Sequence, residues 1–230
     1  MKRFYKEAAV EPVEGGWRVV LDGRPIRTAG GRAQVVPTRA LADALAAEWA
    51  AQGETIDLTG FHFRDIVDFA VDAVAPDREA VIAELLPYAD TDTLCYRADP
   101  DEALHKRQAA VWDPLLERVE ARLGVRFART SGVMHKPQPE TTLARLQAEL
   151  DACSVFDLAA LKMLTSLAAS LVVALEAIRP GADAEALWQA AELEADWQVE
   201  LWGEDWEAAE RRAARFEAFK LAMRLAELAR

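Results

Sequence analysis

Near the N-terminus apolar residues fall at every second position. In "WRVVLDGRPIRT", Trp17, Val19 and Leu21 alternate with Arg18, Val20 and Asp22, which gives a strand one clearly apolar side. Asp22-Gly23 is a hairpin turn signal. "RPIRT" is then the returning strand and "AQVV" a third. The period changes at "PTRALADALAAEWAAQG", where Leu41, Leu45 and Trp49 fall at i, i+4 and i+8 on one helix face. Thr38 is the expected N-cap and Gly53 the expected C′ residue. This helix should pack its apolar face on the small sheet.

From about Phe61 the pattern is mostly helical. "FRDIVDFAVDAV" and "DREAVIAELLPYA" read as helices, and "DTLCYRA" as a short strand. Asp99-Pro100 marks a helix start, with Pro in the tolerated first turn. Pro114 either kinks that helix or begins another. "VRFARTSGV" predicts a second short strand and "HKPQP" a loop. Helices follow over Glu140 to Ala152, Val155 to Ile178 and Asp183 to Leu201, and an amphipathic segment over Glu204 to Leu228. The fold class is therefore α+β: a small N-terminal β-rich domain (1–58, with one packed helix), followed by a larger, mainly α-helical domain (59–230).

The segment "ALWQAAELEADWQVELWGEDWE" combines tryptophans with a run of acids and has no Lys or Arg. On a single helical wheel Leu187, Ala190, Ala191, Leu193, Trp197, Leu201 and Trp202 share one arc. Glu192, Asp196 and Glu200 fall opposite, as a solvated face. Glu194 lies near the centre of the apolar arc with Gln198 beside it. A carboxylate there must be paired, protonated or held at an interface, because unpaired burial is costly. An internal pair with a cation of another helix and a polar anchor on a binding surface are the two readings.

Composition narrows the function. The chain carries 27 Lys and Arg against 39 Asp and Glu, a formal charge of −12. That disfavours a nucleic-acid partner, which calls for an excess of cations on one face. The longest apolar run, Met163 to Leu175, is shorter than a membrane span. No signal-peptide pattern opens the chain. There is no phosphate-binding glycine loop, no G-x-S-x-G elbow and no HExxH pair among His62, His105 and His135. A hydrolase built on Glu194 and Asp196 is disfavoured because the wheel separates them. No catalytic residue, metal or cofactor is assigned.

Several motifs occur in a fixed order: "PTRALADALAAEWAAQ", "YADTDTLCYRA", "QAAVWDPLL" and "LEADWQVELWG". With "RFYK" and "LDGRPIRT" they closely resemble the ATP-twelve family, assembly chaperones of the ATP synthase F(1) sector. The resemblance covers almost the whole chain. It implies a non-enzymatic, ATP-independent protein that binds the free alpha subunit and prevents its aggregation until it pairs with beta. It implies Trp49, Glu48, Asp92, Gln108 and Trp112 as structural motif residues. It implies Glu194, with Gln198, Asp196 and Trp202, as the client-binding or switching set. No nucleic acid, no membrane insertion and a monomeric state are expected, in a bacterial cytoplasm or, for a mature eukaryotic form, the mitochondrial matrix. An acidic adaptor with another client is the alternative.

Cys95 and Cys153 have neither CxxC nor metal-ligand spacing and are expected as reduced, buried thiols. Thiol titration of denatured, unreduced protein should find both; finding neither would contradict a reducing compartment.

Overall fold

The computed structural model describes residues 1–132, 134–203 and 205–230. Val133, the end of the second short strand expected above, and Glu204, the expected start of the last helix, lie outside the described residues. The chain forms a small N-terminal sheet followed by a mostly helical region, organised as two compact units.

The first unit comprises Met1–Arg78, Ser154–Ala160 and Arg224–Arg230. Its sheet is antiparallel in the order β1 (Ala8–Val13), β2 (Gly16–Leu21), β3 (Arg24–Pro25), with Val10 opposite Val19. The sequence pattern missed β1 because Glu11 and Pro12 break its alternation. Proline is tolerated there because β1 stands first in the strand order. The Asp22-Gly23 turn has φ of 48° and 76°, matching the twist of the flanking strands. Its Asp22 carboxylate accepts the amides of Lys6 (3.1 Å) and Glu7 (2.9 Å).

The expected third strand at "AQVV" is only a pair of bridges, Trp17 to Val36 and Arg27 to Ala33. The intervening backbone is held by carboxylates instead. Asp68 accepts from Ala29 N (2.9 Å) and Gln34, and Asp72 from Thr28 Oγ1 (2.7 Å) and Gly30 N (2.7 Å). The Val36 bridge runs so close to the hairpin that a Cβ on Gly16 would lie 2.2 Å from the Val36 carbonyl oxygen.

Helix α1 (Arg39–Ala50) packs on β1 and β2 and buries Leu41 and Leu45. Thr38 caps it, accepting from Leu41 N at 3.1 Å. The C-cap is Ala51, so Gly53 lies beyond the expected position. Trp49 is half-buried, edge-on to Tyr5 (5.6 Å) and tilted against Phe61 (4.5 Å). Glu48 takes the amides of Phe63 (2.6 Å) and Arg64 (3.0 Å), so a carboxylate of α1 caps the start of α2 (His62–Phe69). A π-type turn over Ala70–Val74 continues α2. The chain's last described residues belong to this unit. Leu225 and Ala226 are fully buried, Thr38 Oγ1 donates to the Leu228 carbonyl, and Arg230 pairs with Asp157 at 2.6 Å.

The second unit comprises Glu79–Cys153 and Leu161–Met223. It contains nearly all of α3 (Arg78–Asp90) and a parallel pair, β4 (Tyr96–Arg97) with β5 (Thr130–Ser131). Helix α4 (Ala103–Leu123) runs unbroken through Pro114, so Pro114 starts no new helix. Asp99-Pro100 forms the turn before it, with Glu102 N donating to Asp99 O (2.9 Å), rather than its first turn. Its buried stripe is Gln108, Trp112, Leu115, Leu116, Val119 and Leu123. Helix α5 (Glu140–Ala152) has the expected bounds.

The two longest expected helices are each divided. The apolar run gives α6 (Val155–Ala168) and α7 (Leu171–Ala177), because Ala169 adopts φ 48° and Ser170 caps α7 through Val173 N (3.0 Å). The acidic segment gives α8 (Ala184–Ala191) and α9 (Leu193–Trp202), separated at Glu192. Helix α10 spans Trp206–Leu228.

Asp92 organises the α6–α7 break. It is fully buried and accepts from Ser170 Oγ (2.8 Å), Val172 N (2.9 Å) and Leu94 N (3.1 Å). Burial outweighs these bonds and lifts its carboxyl to about 6. The folded state thus holds the Asp92 proton more tightly than the unfolded chain does. Its contribution is complete below the unfolded value of 3.8 and is lost as pH rises through about 6. The stability of wild type relative to Asp92→Asn should therefore fall by up to about 3 kcal/mol across that window. Urea denaturation of both proteins at several pH values checks this; a constant difference would refute it.

Candidate functional site

The break at Glu192 (φ −95°, ψ 9°) resets the helical phase, and α9 therefore presents faces that a single continuous wheel does not. Glu192 was expected on a solvated face but is only 9% exposed. It pairs with Arg212 and Arg215 of α10, each at 3.2 Å. Asp196 also pairs with Arg212. Glu200 remains exposed but reaches Arg107 of α4 at 2.6 Å, and the Arg107 guanidinium lies 5.7 Å from the centre of the Trp197 ring. Most of these acids therefore form ion-paired seams. The signal for this lay in the charge order: acids without cations to Glu210, then arginines from Arg211.

Glu194 is not in an apolar arc. It is exposed, as are Ala195, Gln198, Leu201 and Trp202. At 100° per residue these fall on one side of α9, opposite Leu193, which is buried. Three of the four expected client-binding residues, Glu194, Gln198 and Trp202, thus share one exposed face. Asp196 does not, because it is turned to Arg212. Trp202 stays 79% exposed instead of joining the core, and its indole donates to Gln198 Oε1 at 3.0 Å.

The face is anchored from below. Gln108 is fully buried in α4; its Oε1 accepts from Ala98 N (2.8 Å), and its Nε2 donates to Glu194 Oε1 (2.7 Å). One turn further along, the fully buried Trp112 donates its indole N–H to the Ala190 carbonyl at 2.7 Å. Asp92, Gln108 and Trp112 thus position helices in the second unit, whereas Glu48 and Trp49 do so in the first. Of the two readings of Glu194, an internal pair with a cation is not found; its partner is a neutral amide.

The surroundings of α4 are polar as well. Arg97 is buried beside the Trp112 ring (5.0 Å to its centre) and pairs with Asp113 at 2.8 Å. Arg129 joins Asp113 (3.3 Å) to the buried Glu120 (3.0 Å). Neither Cys95 nor Cys153 is in a disulfide; Cys95 is buried as expected, whereas Cys153 is only half-buried. Burial pushes the Cys95 thiol up to about 12, which removes it as a nucleophile at neutral pH. Among the described residues no group of three or more His, Cys, Asp or Glu is arranged to hold a metal, and no helix is long and apolar enough to cross a membrane.

The family described as ATP12 chaperone protein matches residues 2–120, more than half of the chain. The chain belongs to the ATP12 chaperone family. It is 28% identical over 185 residues to the mitochondrial protein atp12 of Schizosaccharomyces pombe. That match covers 75% of the chain but 63% of the yeast protein, so the chain spans less than two thirds of this relative. The crystal structure of Atp12 from Paracoccus denitrificans is similar over 100% of the chain and 98% of that protein, with 38% identity and a TM-score of 0.94. A protein from Agrobacterium tumefaciens is 41% identical, over 100% of the chain and 86% of that protein, with a TM-score of 0.94. The ATP12 family is a family of chaperones rather than enzymes. The family match ends at residue 120, within α4, so the α9 face lies beyond it, although the structural similarities include it.

Two neighbouring acids should respond unequally to neutralisation. Glu192→Gln strips two arginines of a buried partner and should cost about 2 kcal/mol. Glu194→Gln keeps an oxygen acceptor for Gln108 and should cost less than about 0.5 kcal/mol. Urea midpoints of the two variants decide this; equal losses would contradict the geometry.

Proposed function

We propose that this ATP12-family chain is an ATP synthase assembly chaperone that binds the free alpha subunit of the F(1) sector. It would keep alpha from aggregating until beta takes its place. The choice of client is supported by the ordered sequence motifs and their resemblance to the chaperones that handle alpha. One observation supports the choice of surface: α9 carries an exposed carboxylate, Glu194, held by the buried Gln108, on the same face as an exposed tryptophan. A free alpha subunit presents the apolar surface it will later bury against beta, and such surface aggregates. A chaperone covering it must also leave, which suits a modest apolar contact with a few polar anchors. Release by competition with beta requires no ATP, in keeping with a sequence without a phosphate-binding loop. The protein would act as a monomer, in the cytoplasm of a bacterium.

The test pairs capture with folding. Glu194→Gln should weaken suppression of alpha aggregation by about 1–3 kcal/mol of binding, through loss of a charged hydrogen bond to the client. Its thermal midpoint should stay near that of wild type. Glu117→Gln, an exposed acid of α4, is the control. Asp196 is unsuitable for that purpose because of its bond to Arg212. If Glu194→Gln captures alpha as well as Glu117→Gln does, the α9 face is not the client surface. If wild type captures no alpha, the proposed client is wrong.

A further inference from the structure

Three exposed large apolar side chains lie within six residues of sequence, at the end of α9 and the start of α10. Leu201 is 56% exposed, Trp202 79% and Trp206 72%. Among the described residues of the second unit, the other strongly exposed large apolar side chains, Val111 and Met134, stand singly in the sequence. Tryptophan is the side chain a monomer is least served by exposing and the one most enriched at binding hot spots. Solvent exposure of two within five residues calls for a covering surface.

The charge around them is one-sided. No Lys or Arg occurs between Arg179 and Arg211. The nearest cations are already engaged: Arg212 and Arg215 with Glu192, Arg212 also with Asp196, and Arg211 with Glu207 at 3.6 Å. No ion pair is formed, among the described residues, by Glu194, Asp205 or Glu210, and all three are exposed. A groove of 290 Å³ between α9 and α10 is lined by Ala195, Val199, Ala208 and Ala209. Asp205, Glu192 and the arginines Arg211, Arg212 and Arg215 also line it, and the arginines' charges are met by Glu207, Glu192 and Asp196. Small side chains there leave room for one large apolar group.

We infer that Leu201, Trp202 and Trp206 form a docking surface for a segment of the client that carries Lys or Arg among large apolar side chains. The apolar groups cover the indoles and enter the groove between α9 and α10. The cations meet Glu194, Asp205 and Glu210, which have no internal counter-ion to give up. This rests on the α9 face being the client surface proposed above, and it adds the chemistry of what binds there.

Two probes separate the two ideas. The first is a synthetic amphipathic peptide of alternating Lys and Leu, titrated while the protein's tryptophan emission is followed. Wild type should bind it with a blue shift, and a Trp202→Ala/Trp206→Ala variant should bind about tenfold more weakly or worse. Binding to wild type should weaken as salt rises from ~50 to ~300 mM, and Asp205→Asn/Glu210→Gln should flatten that dependence. The second probe is purified alpha subunit, tested against the same proteins. Because both tryptophans are exposed, the variants should melt like wild type. The inference is overturned if the peptide fails to bind wild type, binds the tryptophan variant equally, or binds more tightly in high salt. It is also overturned if alpha binds wild type and the tryptophan variant alike, or if the tryptophans instead mediate a concentration-dependent dimer seen by sedimentation. Peptide binding as expected without alpha binding keeps the surface and removes the proposed client.

Discussion

The arrangement around α9 depends on the buried side of α4. Gln108 and Trp112 stand one turn apart, both fully buried, and each gives a hydrogen to an oxygen on either side of the break at Glu192. Trp112 takes the Ala190 carbonyl before the break; Gln108 takes the Glu194 carboxylate after it. A buried amide or indole N–H left without an acceptor costs about 1–3 kcal/mol. These two donors therefore fix both the end of α8 and the beginning of α9. The Arg97 guanidinium over Trp112 and its pair with Asp113 hold α4 from another side. The exposed face of α9 is rigid at its root because a core residue ends in it.

The acids of this region do three kinds of work. Glu192 and Asp196 join α9 to α10 through Arg212 and Arg215. Glu200 joins α9 to α4 through Arg107. Glu194 accepts from an uncharged partner, has no ion pair among the described residues, and is exposed. An exposed ion pair contributes little because solvent screens it and ordering two long side chains costs entropy. The nearly buried Glu192 is where charge bears on stability, and the exposed Glu194 is where charge remains free to attract.

Much of the fold was legible in the sequence. The alternation around Trp17 to Leu21, the Thr38 cap, the bounds of α5 and the α+β order follow from local periodicity and turn chemistry, and each is present. What local pattern could not give were interruptions caused from a distance. The 155–178 helix divides because Asp92, far away in sequence, binds Ser170 and the Val172 amide. The 183–201 helix divides at a glutamate whose partners lie on α10. A wheel drawn through that break placed Glu192 on the solvated face and Trp202 on the apolar arc, whereas Glu192 is buried and Trp202 exposed. Glu194, Gln198 and Trp202, which the resemblance named with Asp196, share a face because they follow one another at steps of four within the unbroken α9. Asp196 falls outside that step and off that face. Trp206 carried no periodic signal, and only its exposure brings it to notice.

The first compact unit is assembled from both ends of the chain. Its sheet, α1 and α2 come early, yet Leu225 and Ala226 are among its buried residues and the Leu228 carbonyl meets the Thr38 hydroxyl that also caps α1. During synthesis the N-terminal strands emerge long before these partners exist. Closing so long a loop comes late in folding. Until residues 224–230 have left the ribosome, the unit lacks two of its fully buried residues, Leu225 and Ala226. An assembly chaperone of this build cannot finish its first unit until residues 224–230 have been synthesised, so its competence is timed by a segment made about 150 residues after α1 and α2.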